Sequence, residues 1–472
     1  MTERFDLAIV GAGPAGMAAA LEAKAQGLSA VVLDEQPRPG GQIYRRAETR
    51  DARLEAALGA EYAHGMALTE KFLASGVAYQ PNTTLWDLSP ERRLSILRDG
   101  RAGEIDASHV ILATGAMERP VPVRGWTLPG VMSVGAAQIL LKTTGAVPDK
   151  PAVLAGSGPL LYLLAAQYLA AGVQVRALVE TQPRANYWDA APHLLSALWQ
   201  RKLLLKGAAM LRGLRAHGVK RWQGASSLAV EGNEACTALT FDANGKRARI
   251  ETELVLLHEG VIPNTHVSMA INCGHDWDAT QLCWRPRLDA WGATSVEGVS
   301  IAGDGGGIWG AEAAEHTGRI AALGAAQRLG KISADVRDRA ASSSRAALDS
   351  LRGARRFLDL LYKPARGQRL PQDDVIVCRC EEVTAGTLRQ VARIGAIGLT
   401  QAKAYTRCGM GPCQGRMCGP TVGALVADER KMPEASVPPY RPRAPYKPVT
   451  IGALAAAVDA DTPPPDASAG AH

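Results

Sequence analysis

The run DLAIV at positions 6–10 leads directly into Gly11-Ala12-Gly13-Pro14-Ala15-Gly16, then MAAALEAKAQG, and nothing else narrows the possible folds as much. The first stretch is β-branched and apolar, of strand length. The last is a good helix former closed by Gly27, and a second strand, SAVVL, follows and ends at Asp34-Glu35. This is a G-x-G-x-x-G turn between strand and helix, with an acid 23 residues beyond its first glycine, the context the motif needs to hold a dinucleotide. Gly11 is expected to make the turn, Gly13 to let the backbone approach a pyrophosphate, and Gly16 to let helix pack on strand. The helix N-terminus opposes the pyrophosphate charge, and Asp34 is placed to accept ribose hydroxyls. The fold class that follows is α/β.

A chain of 472 residues has room for roughly three domains at about 150 residues each. The net charge is +7, and ten Lys/Arg against four Asp between Lys331 and Arg369 place +6 of it in one segment. A nucleic-acid partner would need a recognition fold or stacking platform beside that charge, and neither is present in the sequence. A solvated helix face is favoured over a docking strip for an acidic partner. Pro151–Val175 is uncharged for 25 residues, enough to span a bilayer. Gly156, Gly158, Pro159 and Gly172 punctuate it as strand, turn and helix instead. A chain without a transmembrane segment, located in the cytoplasm, is expected, with membrane association only through its complex or electron acceptor.

Residues 152–180 repeat the first pattern: strand, Gly156-Ser157-Gly158, helix, Gly172, strand, Glu180. The third glycine position holds Leu161, followed by Tyr162, so side chains fill what should be the close approach. A retained fold without a working NAD site is favoured over an active one. No C-x-x-C lies in this region, which argues against a dithiol reductase; Cys236, Cys273 and Cys283 read as buried structural thiols.

The other cysteines crowd together: Cys378, Cys380, Cys408, Cys413 and Cys418 fall within 41 residues. Thiolates hold [2Fe-2S] as Cys₄. Four thiolates also suit zinc, but C-x-C with C-x₄-C departs from the C-x₂-C pairs of common zinc sites. Five cysteines compete for four places. Cys408 and Cys413 leave four residues between them, and so do Cys413 and Cys418, so spacing does not choose.

Two segments resemble known flavoproteins. HVILATGAMERPVP (109–122) looks like the ATG segment of the two-dinucleotide-binding, thioredoxin-reductase-like group, and GVSIAGDGGGIWGAEAAEHTGR (298–319) looks like its second FAD motif. That resemblance implies FAD at the first turn, with Asp304 on the ribityl chain. TRCGMGPCQGRMCGP (406–420) is similar to the bacterioferritin-associated-ferredoxin-like [2Fe-2S] domain in its GMGxCQGxxC version. Together with GAGPAGMAAA, DEQPRPGGQIYR, the GWTLPGVM segment and AGSGPLL, it resembles, over about residues 4–455, the α subunits of FAD/[2Fe-2S] amine or amino-acid dehydrogenases. Opine oxidase, hydrogen cyanide synthase and D-hydroxyproline dehydrogenase contain such subunits.

The resemblance implies FAD contacts from Gly11, Gly13, Pro14, Ala15, Gly16, Asp34, Glu35, Gly41, Gln42, Ala113, Thr114, Gly115, Gly303 and Asp304. It selects Cys378, Cys380, Cys413 and Cys418 as cluster ligands and leaves Cys408 a bystander. It divides the chain into a first half of the FAD domain (1–119), an inserted NAD-binding-like domain (120–284), the second FAD half (285–330), a helical linker (331–374), a [2Fe-2S] domain (375–430) and a proline-rich tail (431–472). In the family a separate FAD-containing β subunit oxidises the amine and the α subunit carries electrons onward, in some cases beside a small third [2Fe-2S] subunit. No His–Asp or paired-carboxylate constellation marks a catalytic site in this chain. An NAD(P)H:acceptor oxidoreductase and an assembly subunit with structural cofactors are the alternatives.

Overall fold

The computed structural model describes residues 3–46, 58–198 and 200–455. Strand β1 (Glu3–Val10) lies between β2 (Ala30–Leu33) and the long β6 (Arg101–Leu112), both parallel to it, and β3 (Ala78–Gln80) extends the sheet beyond β2. The first half of β6 pairs antiparallel with β5 (Arg93–Arg98), which pairs with β4 (Thr83–Leu88). Its second half pairs in parallel with β19 (Val299–Ile301), so the chain returns to the first sheet some 180 residues later. Leu7, Ala8 and Ile9 have no exposed surface, as expected of a parallel strand covered on both faces. Helix α1 (Pro14–Ala25) follows β1.

Between these halves lies a second parallel sheet. In spatial order it contains β11 (Lys220–Gln223), β10 (Val175–Glu180), β9 (Ala152–Ser157), β15 (Leu254–Glu259) and β8 (Val131–Ser133). Helices α2 (Val134–Thr144) and α3 (Pro159–Ala170) belong to it, and a three-stranded meander, β12 (Ser226–Gly232), β13 (Cys236–Ala243) and β14 (Lys246–Glu251), packs below. The insertion leaves and re-enters side by side, where β7 (Ala116–Glu118) pairs antiparallel with β16 (Val261–Pro263). The expected two-dinucleotide fold is therefore what forms.

Helix α4 (Ala311–Arg328) crosses α1 closely. A Cβ on Gly318 would overlap the Ala15 carbonyl, so only glycine permits this approach. The 28-residue α5 (Ala334–Leu361) is a connector helix within the expected linker, and part of its charge is used in packing. The guanidinium groups of Arg337 and Arg345 lie 3.9 and 4.2 Å from the Trp291 ring centroid, a cation–π arrangement. Among the described residues no helix is long and apolar enough to cross a membrane.

The C-terminal unit is small. A two-stranded ribbon, β20 (Ile376–Cys378) with β21 (Val383–Thr384), packs with α6 (Ala385–Arg393), α7 (Leu399–Thr406) and α8 (Gly419–Glu429) around its own core. Val422, Leu425 and Val426 of α8 supply much of that core. The Trp126 indole donates to the Ile376 carbonyl at 2.7 Å, which docks the unit against the inserted domain. The proline-rich tail is a strap. Tyr440 is buried in the small unit and Tyr446 in the first domain.

Candidate functional site

The segments expected at the first nucleotide site converge. A Cβ on Gly16 would overlap the Gly11 carbonyl oxygen, one on Gly11 would meet the Ala113 oxygen, and one on Gly303 would come within 2.9 Å of Ala15 Cβ. A Cβ on Gly305 would lie 3.4 Å from Thr114 Oγ1 and 3.5 Å from the Gly115 carbonyl, so the Asp304 turn abuts the Thr114-Gly115 turn. Gly13 differs from these: among the described residues, the nearest heavy atom to a Cβ there is Gly41 Cα at 3.8 Å. The second glycine of the turn faces open space bordered by Gly41, and Pro14 sets the first turn of α1 beside it.

Asp34 is buried, and its Oδ2 accepts from the Ala12 amide at 2.5 Å while Oδ1 accepts from Gln36 at 2.7 Å. Burial raises its pKa against the pull of those amides. Asp304 Oδ1 accepts from the Trp309 and Gly310 amides at 2.8 and 2.9 Å, tying the turn to the N-terminus of α4. Burial raises the pKa of this carboxyl too. Gln42 donates to the Ala116 carbonyl at 3.3 Å, and its own carbonyl accepts from Lys142 at 3.1 Å. Glu35 stands apart, paired with Lys447 of the strap at 3.0 Å. Lys142 carried no sequence signal, since it lies in no motif.

The second turn is differently furnished. A Cβ on Gly158 would come within 2.7 Å of His258 Nε2, so an imidazole stands where the first turn is open. His258 is fixed there by Glu118, whose Oε1 lies 2.6 Å from Nδ1. Ser157 donates to the carbonyl of Tyr362, at the end of α5, and the Tyr362 ring lies 6.0 Å from that of Tyr162. Glu180 has no exposed surface, and its Oε1 is held by Arg221 at 2.7 Å. Leu161 is buried in the core. What covers this turn is therefore the end of the connector helix and a histidine. The sequence pointed instead to the leucine.

The cysteines gather at the small unit's loops. Cys378 ends β20, Cys380 lies two residues on, Cys408 follows α7, Cys413 lies in the next turn, and Cys418 caps α8. The sulfurs of Cys380 and Cys413 are 3.9 Å apart. Those of Cys378, Cys408 and Cys418 all lie within 4.8 Å of one another, with Cys408 and Cys418 at 3.8 Å. Cys408, expected outside the cluster, thus has its sulfur in the same buried group as two of the expected ligands.

For a metal–sulfur bond of about 2.3 Å, tetrahedral coordination sets two thiolates on one metal about 3.8 Å apart. The donor set and its spacing therefore fit a thiolate-bound iron centre. Hydrogen bonding from the Cys408 and Cys418 thiols holds the Cys378 thiol far below its ordinary value, and the same contact with Cys378 pushes Cys408 up to about 12. Gly411 leaves room for Cys380, against which a Cβ would collide, and the Tyr440 ring packs against Gly409 and Gly415. The Tyr440 hydroxyl donates to the Cys408 carbonyl at 2.9 Å. Tyr440 sits in a proline-rich stretch whose composition gave no hint of this role.

Between the first domain and the small unit is a largely apolar cleft. Met117, Met269, Trp277 and Trp284 line one side and Gln414 and Tyr440 the other. The two indoles meet edge to face at 5.7 Å.

Residues 5–328 match the pyridine nucleotide-disulphide oxidoreductase family and residues 374–458 the sarcosine oxidase A3 domain. The A subunit of opine oxidase from Agrobacterium tumefaciens (strain Ach5) is 42% identical over 465 residues, covering 96% of this chain and 92% of that protein. Hydrogen cyanide synthase subunit HcnB of Pseudomonas protegens is 33% identical, covering 87% and 89%. The crystal structure of L-proline dehydrogenase from P. horikoshii superposes with a TM-score of 0.70 at 19% identity, covering 96% of this chain and 80% of that one; it shows a shared fold.

Proposed function

Because the chain belongs to the pyridine nucleotide-disulphide oxidoreductase family, and within it to that of the opine oxidase A subunits, we propose that it is the electron-carrying subunit of a heteromeric flavin-dependent dehydrogenase or oxidase. Its complex would oxidise an amine or amino acid such as an opine, D-hydroxyproline or glycine. A catalytic FAD-containing β subunit is the partner this requires, and a small third [2Fe-2S] subunit is a further one. The observation that carries the proposal is that one chain holds both an open dinucleotide turn and a five-thiol group, the thiols on a small unit docked against the dinucleotide-binding domains.

FAD would lie on the first turn, where the space beside Gly13 is open. The amides at the start of α1 would oppose its pyrophosphate, since a helix N-terminus favours negative charge. Asp34 would take the ribose and Asp304 the ribityl chain. The Asp304 bonds to Trp309 and Gly310 fix that carboxylate before anything binds, which saves ordering on association. Bound FAD supplies acceptance of an electron pair, and a [2Fe-2S] centre held by thiolates supplies single-electron transfer. Trp277 and Trp284 present an apolar surface in the cleft between the first domain and the small unit. Catalytic residues for breaking the substrate C–H bond belong, on this proposal, to the partner subunit.

The test is anaerobic. The chain purified with its amine-oxidising partner should bleach at the flavin absorbance and develop a reduced-cluster EPR signal when the amine is added. The chain alone should do neither. Fast bleaching of the lone chain by NADH would replace the proposal with an NAD(P)H oxidoreductase. A chain that holds neither FAD nor iron would replace it with an assembly role.

A further inference from the structure

Five thiols surround a centre that needs four. On the relay reading above, each iron takes two cysteine thiolates besides the bridging sulfides. Cys380 and Cys413, at 3.9 Å, are one such pair. The other iron then has three sulfurs to choose from, Cys378, Cys408 and Cys418, mutually within 4.8 Å. Cys408 and Cys418 are already at 3.8 Å, the separation of about 3.8 Å that two thiolates on one tetrahedral metal adopt.

Cys408 is held at that place by its surroundings. Its carbonyl accepts from the Tyr440 hydroxyl at 2.9 Å, and its amide donates to Thr406 Oγ1 at 3.2 Å. The neighbouring Arg407 adopts a left-handed φ of 61° and pairs with Glu381, in the turn just after Cys380, at 2.9 Å. The Cys408 side chain is wholly buried, so it has no solvent position to turn to. A thiol fixed in contact with a cluster ligand, and unable to leave, is placed to replace that ligand.

We propose that Cys408 is a reserve ligand for the iron shared by Cys378 and Cys418, and that the iron at Cys380 and Cys413 has no such reserve. Ligand exchange conserves charge: one thiolate leaves the iron and takes the proton of the thiol that replaces it.

Cys→Ala variants, which leave no oxygen to ligate, separate the two irons. Protein is prepared anaerobically, assayed for iron and for zinc, and examined by EPR after dithionite reduction. Wild type should hold about two irons per chain as a [2Fe-2S] centre. Cys380→Ala and Cys413→Ala should each lose the centre. Cys378→Ala should keep at least half of the wild-type iron with shifted g-values, and Cys378→Ala/Cys408→Ala should lose it. If Cys378→Ala is unfolded by circular dichroism, Cys418→Ala is read in the same way, through Cys378 and Cys408. A folded Cys378→Ala or Cys418→Ala variant as empty of iron as Cys413→Ala overturns the reserve role and leaves the relay intact. A wild-type chain that holds zinc overturns the relay itself, and the reserve role with it.

Discussion

Glu259 ends β15 with 1% of its surface exposed, its Oε1 accepting from the Thr181 hydroxyl at 2.6 Å and its Oε2 without a hydrogen-bond partner among the described residues. Burial pushes its pKa up to about 8, against the opposing pull of that hydroxyl and of Arg119. A carboxyl whose folded value lies above its unfolded value of 4.5 stabilises the fold fully below that unfolded value. The contribution is lost as pH rises through about 8, because the unfolded chain ionises more easily. Glu259→Gln should therefore unfold at similar urea concentrations at pH 5 and hold on better at pH 8.5, by on the order of a few kcal/mol. Parallel pH profiles for the two proteins would count against the buried neutral carboxyl. Gly13 and Gly16 make a second residue-level contrast. A methyl at Gly13 meets nothing closer than 3.8 Å, while one at Gly16 overlaps backbone. Gly13→Ala should melt within a few degrees of wild type yet retain less than a tenth of the FAD. Gly16→Ala should lose stability as well. Equal FAD content in Gly13→Ala and wild type would place the cofactor elsewhere.

Among the elements, the two dinucleotide folds show what a sequence discloses. The first strand–turn–helix was legible because its tightest contact is local: Gly16 packs on the Gly11 carbonyl within the turn, while Gly11 meets Ala113 just after β6 and Gly13 borders Gly41. The second fold holds a feature that the sequence did not show. Leu161 drew attention because it breaks the motif, yet the turn is covered by Tyr362, about 200 residues away, and by His258. Contacts between distant segments leave no spacing to read. Cys408 was set aside because the resemblance, and not the spacing, chose the ligands; its nearness to Cys418 depends on how α7 and α8 pack. NADH should therefore fail to reduce the flavin quickly, and Tyr362→Ala alone should not restore reduction, because His258 and the Glu180–Arg221 pair remain. Stopped-flow mixing under argon, read at the flavin absorbance, checks both proteins. Rapid bleaching in wild type would mean that α5 moves aside.

For the whole molecule, the decisive connection is the C-terminal strap, which holds the cysteine-bearing unit against the first domain. The Gln414 side chain, beside Cys413, accepts from the Arg443 amide at 2.8 Å and donates to the Pro445 carbonyl at 2.7 Å. Three residues after Arg443, the Tyr446 ring is buried among Leu85, Leu88 and Leu94 of the first domain. Its amide donates to the Trp86 carbonyl at 2.8 Å, and its hydroxyl lies 3.2 Å from Asp87 Oδ1. Lys447–Glu35 adds an ion pair that is partly solvated, which contributes at most about 1 kcal/mol. Tyr446 is therefore the anchor, and removing a buried aromatic costs about 3–5 kcal/mol. Tyr446→Ala should leave FAD and iron content unchanged, because its hydrogen bonds run to Trp86, Asp87 and Leu88, away from the nucleotide turns and the cysteines. It should weaken docking of the small unit, giving two separated thermal transitions and at least tenfold slower passage of photoreduced flavin electrons to the cluster. Tyr446→Phe, which keeps the ring and loses only the hydroxyl, should behave nearly as wild type. A single unshifted transition with unchanged electron passage in Tyr446→Ala would show that Trp126–Ile376 and the cleft contacts suffice to hold the unit in place.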